Sequence, residues 1–390
     1  MGAVDANRAS TLPAWLDAQA QFRADAVCLR QKIRGRWYAW SWRRAADEVS
    51  RLSAALTVLG LRRGDLLVLV GDPSVEALLL ALAAQRLGGT ALPWFPGASF
   101  DASATADSRR RFAVVQHSEQ LERLLSPGLS GLPDAVVCID TRGVPPGSGV
   151  TAICYESLAS GASDSRPAAT PVPGAEAAPD DAAFAFAAEP ADGGASGPRL
   201  VSHKEALAGA ARLLGSTPID AGYQALVPRV LSPEVARSFV GAWLSAGFCL
   251  SFPERASTRD VDRHELAPSL VIGTAASFGR LRERVVENLP EPGSVPRRLV
   301  DWALAPSTQG LDEAFRATVG RALVRRPLRG VIGFSRVKLA LIDGPSPEQR
   351  VSAFFSRLGV ELRPLSGALA SPRELEPPPG LLSTVPKEVS

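Results

Sequence analysis

From Trp42 to Leu59, apolar residues return every three or four positions, at Trp42, Ala45, Ala46, Val49, Leu52, Ala55, Leu56 and Leu59. Arg43, Arg44, Asp47, Glu48 and Arg51 fall between them, so the period predicts an amphipathic helix on a core, with Gly60 as its stop. The pattern then changes. After the turn Arg63-Gly64-Asp65, the stretch Leu66 to Val70 is unbroken and apolar, as expected of a strand covered on both faces. Ser74 caps a second predicted helix, Val75 to Leu87, with Glu76 in its first turn, and Gly88-Gly89 ends it before a strand opens at Thr90 to Leu92. This is a β-α-β unit and implies a parallel sheet.

Strand-length apolar runs recur at Ala113 to Val115, Ala135 to Ile139, Ala183 to Ala188, Phe248 to Phe252 and Ser269 to Ile272, alternating with helical patterns. The fold class predicted is α/β: two stacked α/β lobes with mostly parallel sheets covered by helices. Residues 10–142 form the first expected lobe and 181–371 the second, with a helical insertion at about 275–330. Between the lobes, 143–180 is rich in Pro, Ala, Gly and Ser with little periodicity and reads as a linker; 372–390 reads as a Pro-rich tail.

Composition narrows the function classes. The 390 residues are 46% hydrophobic, enough for a sizeable core, and the net charge is only +3 with acids and bases interspersed, which argues against a nucleic-acid partner. The cysteines Cys28, Cys138, Cys154 and Cys249 are scattered without C-x-x-C spacing, the pattern of reduced cytosolic thiols. No apolar run is long enough to span a bilayer, and the first residues lack the apolar core of a signal peptide. The expected location is cytoplasmic, or at most peripheral at the membrane.

The chemistry centres on Phe184 to Lys204, F-A-F-A-A-E-P-A-D-G-G-A-S-G-P-R-L-V-S-H-K. An apolar strand, a Gly-rich stretch and a helix start with a capping box, Ser202 and Glu205, have the layout of a phosphate-binding loop. Its chemistry is largely missing: one hydroxyl, Ser196, and one cation, Arg199, stand beside Glu189 and Asp192, which would repel phosphate oxygens.

The stretch resembles the Y-T-S-G-T-T-G-x-P-K-G-V loop of the adenylate-forming superfamily. Gly193, Gly194, Gly197, Pro198 and Ser202-His203 fall on that pattern, with Arg199 where the lysine belongs. Trp40 to Pro93 is similar to the opening of acyl-CoA synthetases. Phe278 to Leu304, and Val337 to Leu365, resemble later segments of the long-chain fatty acyl-CoA synthetases, so the resemblance spans about residues 10 to 371. Where the family reads Y-G-x-T-E, the chain reads Ser366-Gly367-Ala368-Leu369-Ala370. The resemblance thus implies that Leu369 replaces a phosphate-contacting threonine and Ala370 a magnesium-coordinating glutamate, and neither side chain offers the oxygen a hard cation needs. After Ser371 the expected small C-terminal domain of the family is replaced by the Pro-rich stretch.

Together these features imply a pseudoenzyme of this superfamily: no catalytic residues, no metal ligands, no cofactor, and a vestigial nucleotide site at Gly193, Gly194, Ser196, Gly197, Arg199, Ser366 and Gly367. It would act by binding a protein partner, an active ligase or an acyl carrier pathway enzyme, or an acyl chain. The alternative is a divergent ligase that activates a fatty acid with ATP and Mg, completed by a partner chain.

Of the remaining candidates, His117 and His264 read as surface or helix-start residues, and His203 as a first-turn residue beside Ser202. Arg321 and Arg325, with Arg316, Arg326 and Arg329 nearby, read as a solvated helix face, with anionic lipid or an acidic partner as the sharper alternative. Trp42 reads as core, with Trp37 and Trp40 as candidate interface anchors.

Overall fold

Helix α1 (Leu12–Phe22) is followed by the hairpin β1 (Val27–Ile33) and β2 (Arg36–Ser41), and Ser41 caps α2 (Trp42–Val58). In this computed structural model, residues 9–94, 111–125, 133–142, 151–160, 177–186, 199–305 and 319–365 are described. The next units are β3 (Leu66–Val70), α3 (Val75–Arg86) and β4 (Thr90–Trp94), then β5 (Arg111–Val115), α4 (Ser118–Leu124) and β6 (Ala135–Cys138). Apart from α4, which the sequence reading did not place, they agree with the apolar pattern to within a residue or two. The expected linker is not structureless: β7 (Thr151–Cys154) and α5 (Tyr155–Ser160) lie inside it, and β7 pairs with β6. A four-residue strand carries too short a pattern to stand out among Ala, Ser and Gly.

Strands β8 (Ala182–Phe186) and β9 (Arg199–Ser202) precede α6 (His203–Ser216) and β10 (Gln224–Leu226). Then come α7 (Pro233–Ala246), β11 (Cys249–Phe252), α8 (Arg259–Leu266), β12 (Leu270–Gly273), α9 (Ala275–Glu287) and α10 (Val295–Ala303). A π-turn at Arg321–Arg325 leads into α11 (Arg326–Val331), followed by β13 (Leu339–Ile342), α12 (Gln349–Arg357) and β14 (Leu362–Pro364).

Among the described residues the strands form two sheets of seven, ordered β14-β13-β12-β10-β11-β1-β2 and β7-β6-β5-β3-β4-β8-β9. All neighbours are parallel except β1 with β2 and β8 with β9. The sheets exchange strands across the boundary expected near 142–181: β1 and β2 complete the sheet of the later residues, and β8 and β9 complete that of the earlier ones. Hydrophobic periodicity is blind to this, because an apolar strand does not encode which sheet edge it joins.

Alternation along each strand divides the core. In β3, Leu67 belongs to a central cluster while Leu66, Val68 and Val70 belong to an outer one; in β13, Leu339 and Leu341 face the centre while Ala340 and Ile342 face outward. The central cluster is shared with α1, α2, α3, α6 and α7, sandwiched between the sheets, while α4 covers the outer face of one sheet and α9 and α12 that of the other. Trp42 of α2 and Trp243 of α7 stack across the middle with ring centroids 5.2 Å apart.

Three charged residues depart from the expected pattern. Glu48, on a position that reads as solvent-facing, is buried because its carboxylate accepts from Trp40 Nε1 at 3.0 Å and from the Tyr155 hydroxyl at 2.7 Å. Trp40 is therefore a core residue held by that bond, not an interface anchor; Trp37 is half-buried. Arg325 and Arg329, read as part of a solvated face, instead donate to backbone carbonyls of Ala303, Phe334 and Val337.

Candidate functional site

In open parallel sheets a ligand crevice forms beyond the carboxyl ends of strands, where the strand order reverses. Here β4 and β5 flank β3 on opposite sides, and β11 and β12 flank β10 likewise. Both reversal points open on the same region. From β3 the chain runs Gly71-Asp72-Pro73 into Ser74, the cap of α3; from β10 it runs Val227-Pro228-Arg229 toward Ser232, the cap of α7. Gly71 has φ +112, and a Cβ there would meet Gln120 Nε2 at 2.4 Å, so the tight exit from β3 requires glycine.

Two cavities meet at this place, and Asp72 and Pro228 line both. One lies between the sheets, is lined by apolar groups such as Leu78, Phe184, Val235, Phe239 and Leu250, and measures about 70 Å³. The other is a cleft of about 770 Å³ beyond β10, β12 and β13, with Arg259, Arg263, Arg280 and Arg284 on its walls. At its edge Ser232 Oγ donates to Asp343 Oδ1 at 2.9 Å, while burial raises the Asp343 pKa above the usual carboxylate value.

The expected nucleotide site is represented among the described residues by Arg199. Its guanidinium donates to Glu234 Oε1 at 2.8 Å, and Arg237 lies 3.5 Å from the same oxygen. Gly193, Gly194, Ser196, Gly197, Ser366 and Gly367 lie outside the described residues, as do Glu189, Asp192, Leu369 and Ala370.

The helix expected to complete a phosphate-binding layout is elsewhere. Strand β9 runs back antiparallel along β8, pairing Phe186 with Arg199 and Ala182 with Ser202, so α6 begins beside the start of β8, about 10 Å of strand from its Gly-rich end. The N–H groups of His203 and Lys204 donate to the Asp181 and Pro179 carbonyls at 3.2 and 2.9 Å, and the capping box is formed as expected. These first-turn groups are occupied by backbone, not offered to an anion.

His203 itself is fully buried, and its Nδ1 accepts the Leu12 N–H at 3.2 Å, tying α6 to α1. Burial, only partly opposed by Asp181, pushes its pKa down to about 4, so the ring is neutral and structural. Among the described residues no cluster of His, Cys, Asp and Glu could hold a metal ion, and no helix is long and apolar enough to cross a membrane. The four cysteines are free, with burial raising the thiol pKa of Cys28, Cys138 and Cys249.

The arginine cleft escaped the sequence reading. Its signal was present: Arg259 and Arg263, and Arg280 and Arg284, are pairs four residues apart on helices that flank the strand Leu270–Gly273. Only the sheet order shows that both pairs overhang one strand end.

Residues 16–186 match the AMP-binding enzyme family. A segment of 124 residues is 31% identical to uncharacterized protein Rv1549 of Mycobacterium tuberculosis, covering 31% of this chain and 67% of that protein. Another of 120 residues is 26% identical to the hybrid PKS-NRPS synthetase mycA of Thermothelomyces thermophilus, covering 31% of this chain but 3% of the synthetase. The fold is similar to the A domain of a carboxylic acid reductase from Segniliparus rugosus, solved with AMP and a co-purified carboxylic acid. That likeness has a TM-score of 0.64 at 17% identity and covers 90% of this chain and 59% of the other.

Proposed function

Since the chain belongs to the adenylate-forming superfamily, we propose that it is a member silent toward ATP, a pseudoenzyme that works by binding. One observation carries this reading: Arg199, the cation standing roughly where the family lysine belongs, donates to Glu234 at 2.8 Å instead of standing free for a phosphate. A cation engaged by a carboxylate of its own chain does little to offset the charge that develops on a transferring phosphate. Leu369 and Ala370 supply no oxygen where the family places its threonine and glutamate. Losing one such stabilising contact typically costs roughly 3 kcal/mol of barrier, so the combined loss amounts to many orders of magnitude in rate.

What it binds is drawn from the family's pathway: a protein partner, either an active ligase or an enzyme that works with an acyl carrier, or else an acyl chain. The apolar cavity of about 70 Å³ is small beside the roughly 300 to 1,000 Å³ common for ligand pockets, which favours the protein partner. The test is calorimetric titration with Mg-ATP together with pyrophosphate exchange across fatty acids of increasing length. The expected result is no heat and no exchange. Exchange stimulated by any chain length would establish the divergent ligase instead.

A further inference from the structure

The cleft beyond β10, β12 and β13 carries more positive charge than its own acids neutralise. Arg259 and Arg263 reach it from α8, Arg280 and Arg284 from α9, and Arg229 from the turn after β10; the carboxylates lining it are Asp72, Asp260 and Asp343. Five guanidinium groups against three carboxylates leave an excess of two positive charges.

The arginines are held, not merely gathered. Asp260 is shared between Arg263 Nη1 at 2.9 Å and Arg284 Nη1 at 2.6 Å, so one acid fixes two guanidiniums. Arg263 is only 7% exposed; its Nε donates to the Ile332 carbonyl at 2.9 Å, while its buried Nη2 has no hydrogen-bond partner among the described residues. A buried cationic N–H without an acceptor is costly, and an oxyanion in the cleft would supply one. Arg259 donates to the Val227 carbonyl, and burial, with Arg263 nearby, pushes its pKa down to about 10. Arg280 is exposed and has no ion pair among the described residues. Thr274, the cap of α9, and Ser277 also line the cleft, so a helix N-terminus adds to the positive potential. Between these groups the wall is apolar, with Leu226, Val271, Ile272 and Phe278.

We propose that this cleft binds a small organic dianion, carrying two carboxylates or one phosphate monoester, with its oxyanions on Arg259, Arg263 and Arg280 and its carbon frame against the apolar wall. The charge excess selects a dianion over a singly charged fatty acid, and the volume of about 770 Å³ admits a metabolite-sized molecule. This site does not rest on silence toward ATP. Failure of dianion binding would leave that reading standing, and pyrophosphate exchange would leave this one standing.

The probes are succinate, inorganic phosphate and hexanoate, titrated calorimetrically into the full chain at constant ionic strength. Succinate or phosphate is expected to bind at least tenfold more tightly than hexanoate, and which of the two does so identifies the carboxylate or the phosphate source. Arg280→Ala should weaken that binding about fivefold with an unchanged unfolding temperature, since Arg280 is exposed and has no ion pair among the described residues, whereas Arg326→Ala, outside the cleft, should not. The proposal is overturned if neither dianion binds more tightly than hexanoate, or if the two variants weaken binding equally.

Discussion

His203 shows how one side chain acquires a role from its surroundings. Its ordinary pKa of about 6.5 is pushed down to about 4 by burial, so as pH falls the unfolded chain takes up a proton first. Stability is therefore fully present above about pH 6.5 and is lost as pH falls toward 4, by about 3 kcal/mol over the whole window. Urea unfolding at pH 7.5 and pH 4.5 measures it: His203→Asn, which keeps an acceptor for the Leu12 N–H, should lose less stability between the two pH values than the parent chain. Equal losses would show that His203 titrates normally. The sequence placed His203 in a first turn beside its capping serine, and that was legible from the S-x-x-E spacing. Its burial, and that of Glu48, was not, because each depends on a partner far along the chain: Leu12 for one, Tyr155 for the other.

At the scale of elements, α6 and α7 approach closely because small residues face each other. A Cβ on Gly209 would lie 2.1 Å from the Arg237 carbonyl oxygen, and one on Gly241 would lie 2.7 Å from that of Ala206. Gly209→Ala should destabilise the protein by about 2 kcal/mol, the strain of forcing backbones apart exceeding the gain in helix propensity. Gly215→Ala, in the same helix with nothing within 4 Å of its Cβ, should instead stabilise by about 0.5 kcal/mol. Chemical denaturation of the two variants gives opposite signs if the contact is real and the same sign if propensity alone governs. Helices α2 and α3 and strands such as β3, β6 and β11 were visible in the sequence because their periods of 3.6 and their apolar runs are local properties. Strand β9 was not: its four residues carry no readable period, and without it the Gly-rich stretch reads as leading straight into a helix.

The whole molecule is tied together by the exchange of strands between its sheets. Strand β1 lies parallel beside β11, more than two hundred residues later, while β8 pairs with β4 of the other sheet. A fragment of residues 1–142 would keep β1 and β2 but lose the sheet they join, and 143–390 would keep β8 and β9 but lose β3 and β4. Neither should fold alone, and the intact chain should unfold in one transition, with tryptophan fluorescence, reporting the Trp42–Trp243 stack, coinciding with far-ultraviolet circular dichroism. Two separated transitions would mean that the lobes are independent. The expected nucleotide loop and the arginine cleft differ in kind: the loop is contiguous in sequence and reads as a motif, whereas the cleft is spread over several elements and has none.

By itself the sequence determined the α/β class, the helices α2 and α3 and several buried strands, since these are written in local pattern, and residues 16–186 carry the AMP-binding match. Tertiary structure alone decided that Arg199 is engaged by Glu234, that α6 starts at the far end of β8, and that arginines from two helices converge on one cleft. Each depends on which strand lies beside which, and hydrogen-bonded strand order arises from long-range packing that no window along the chain contains.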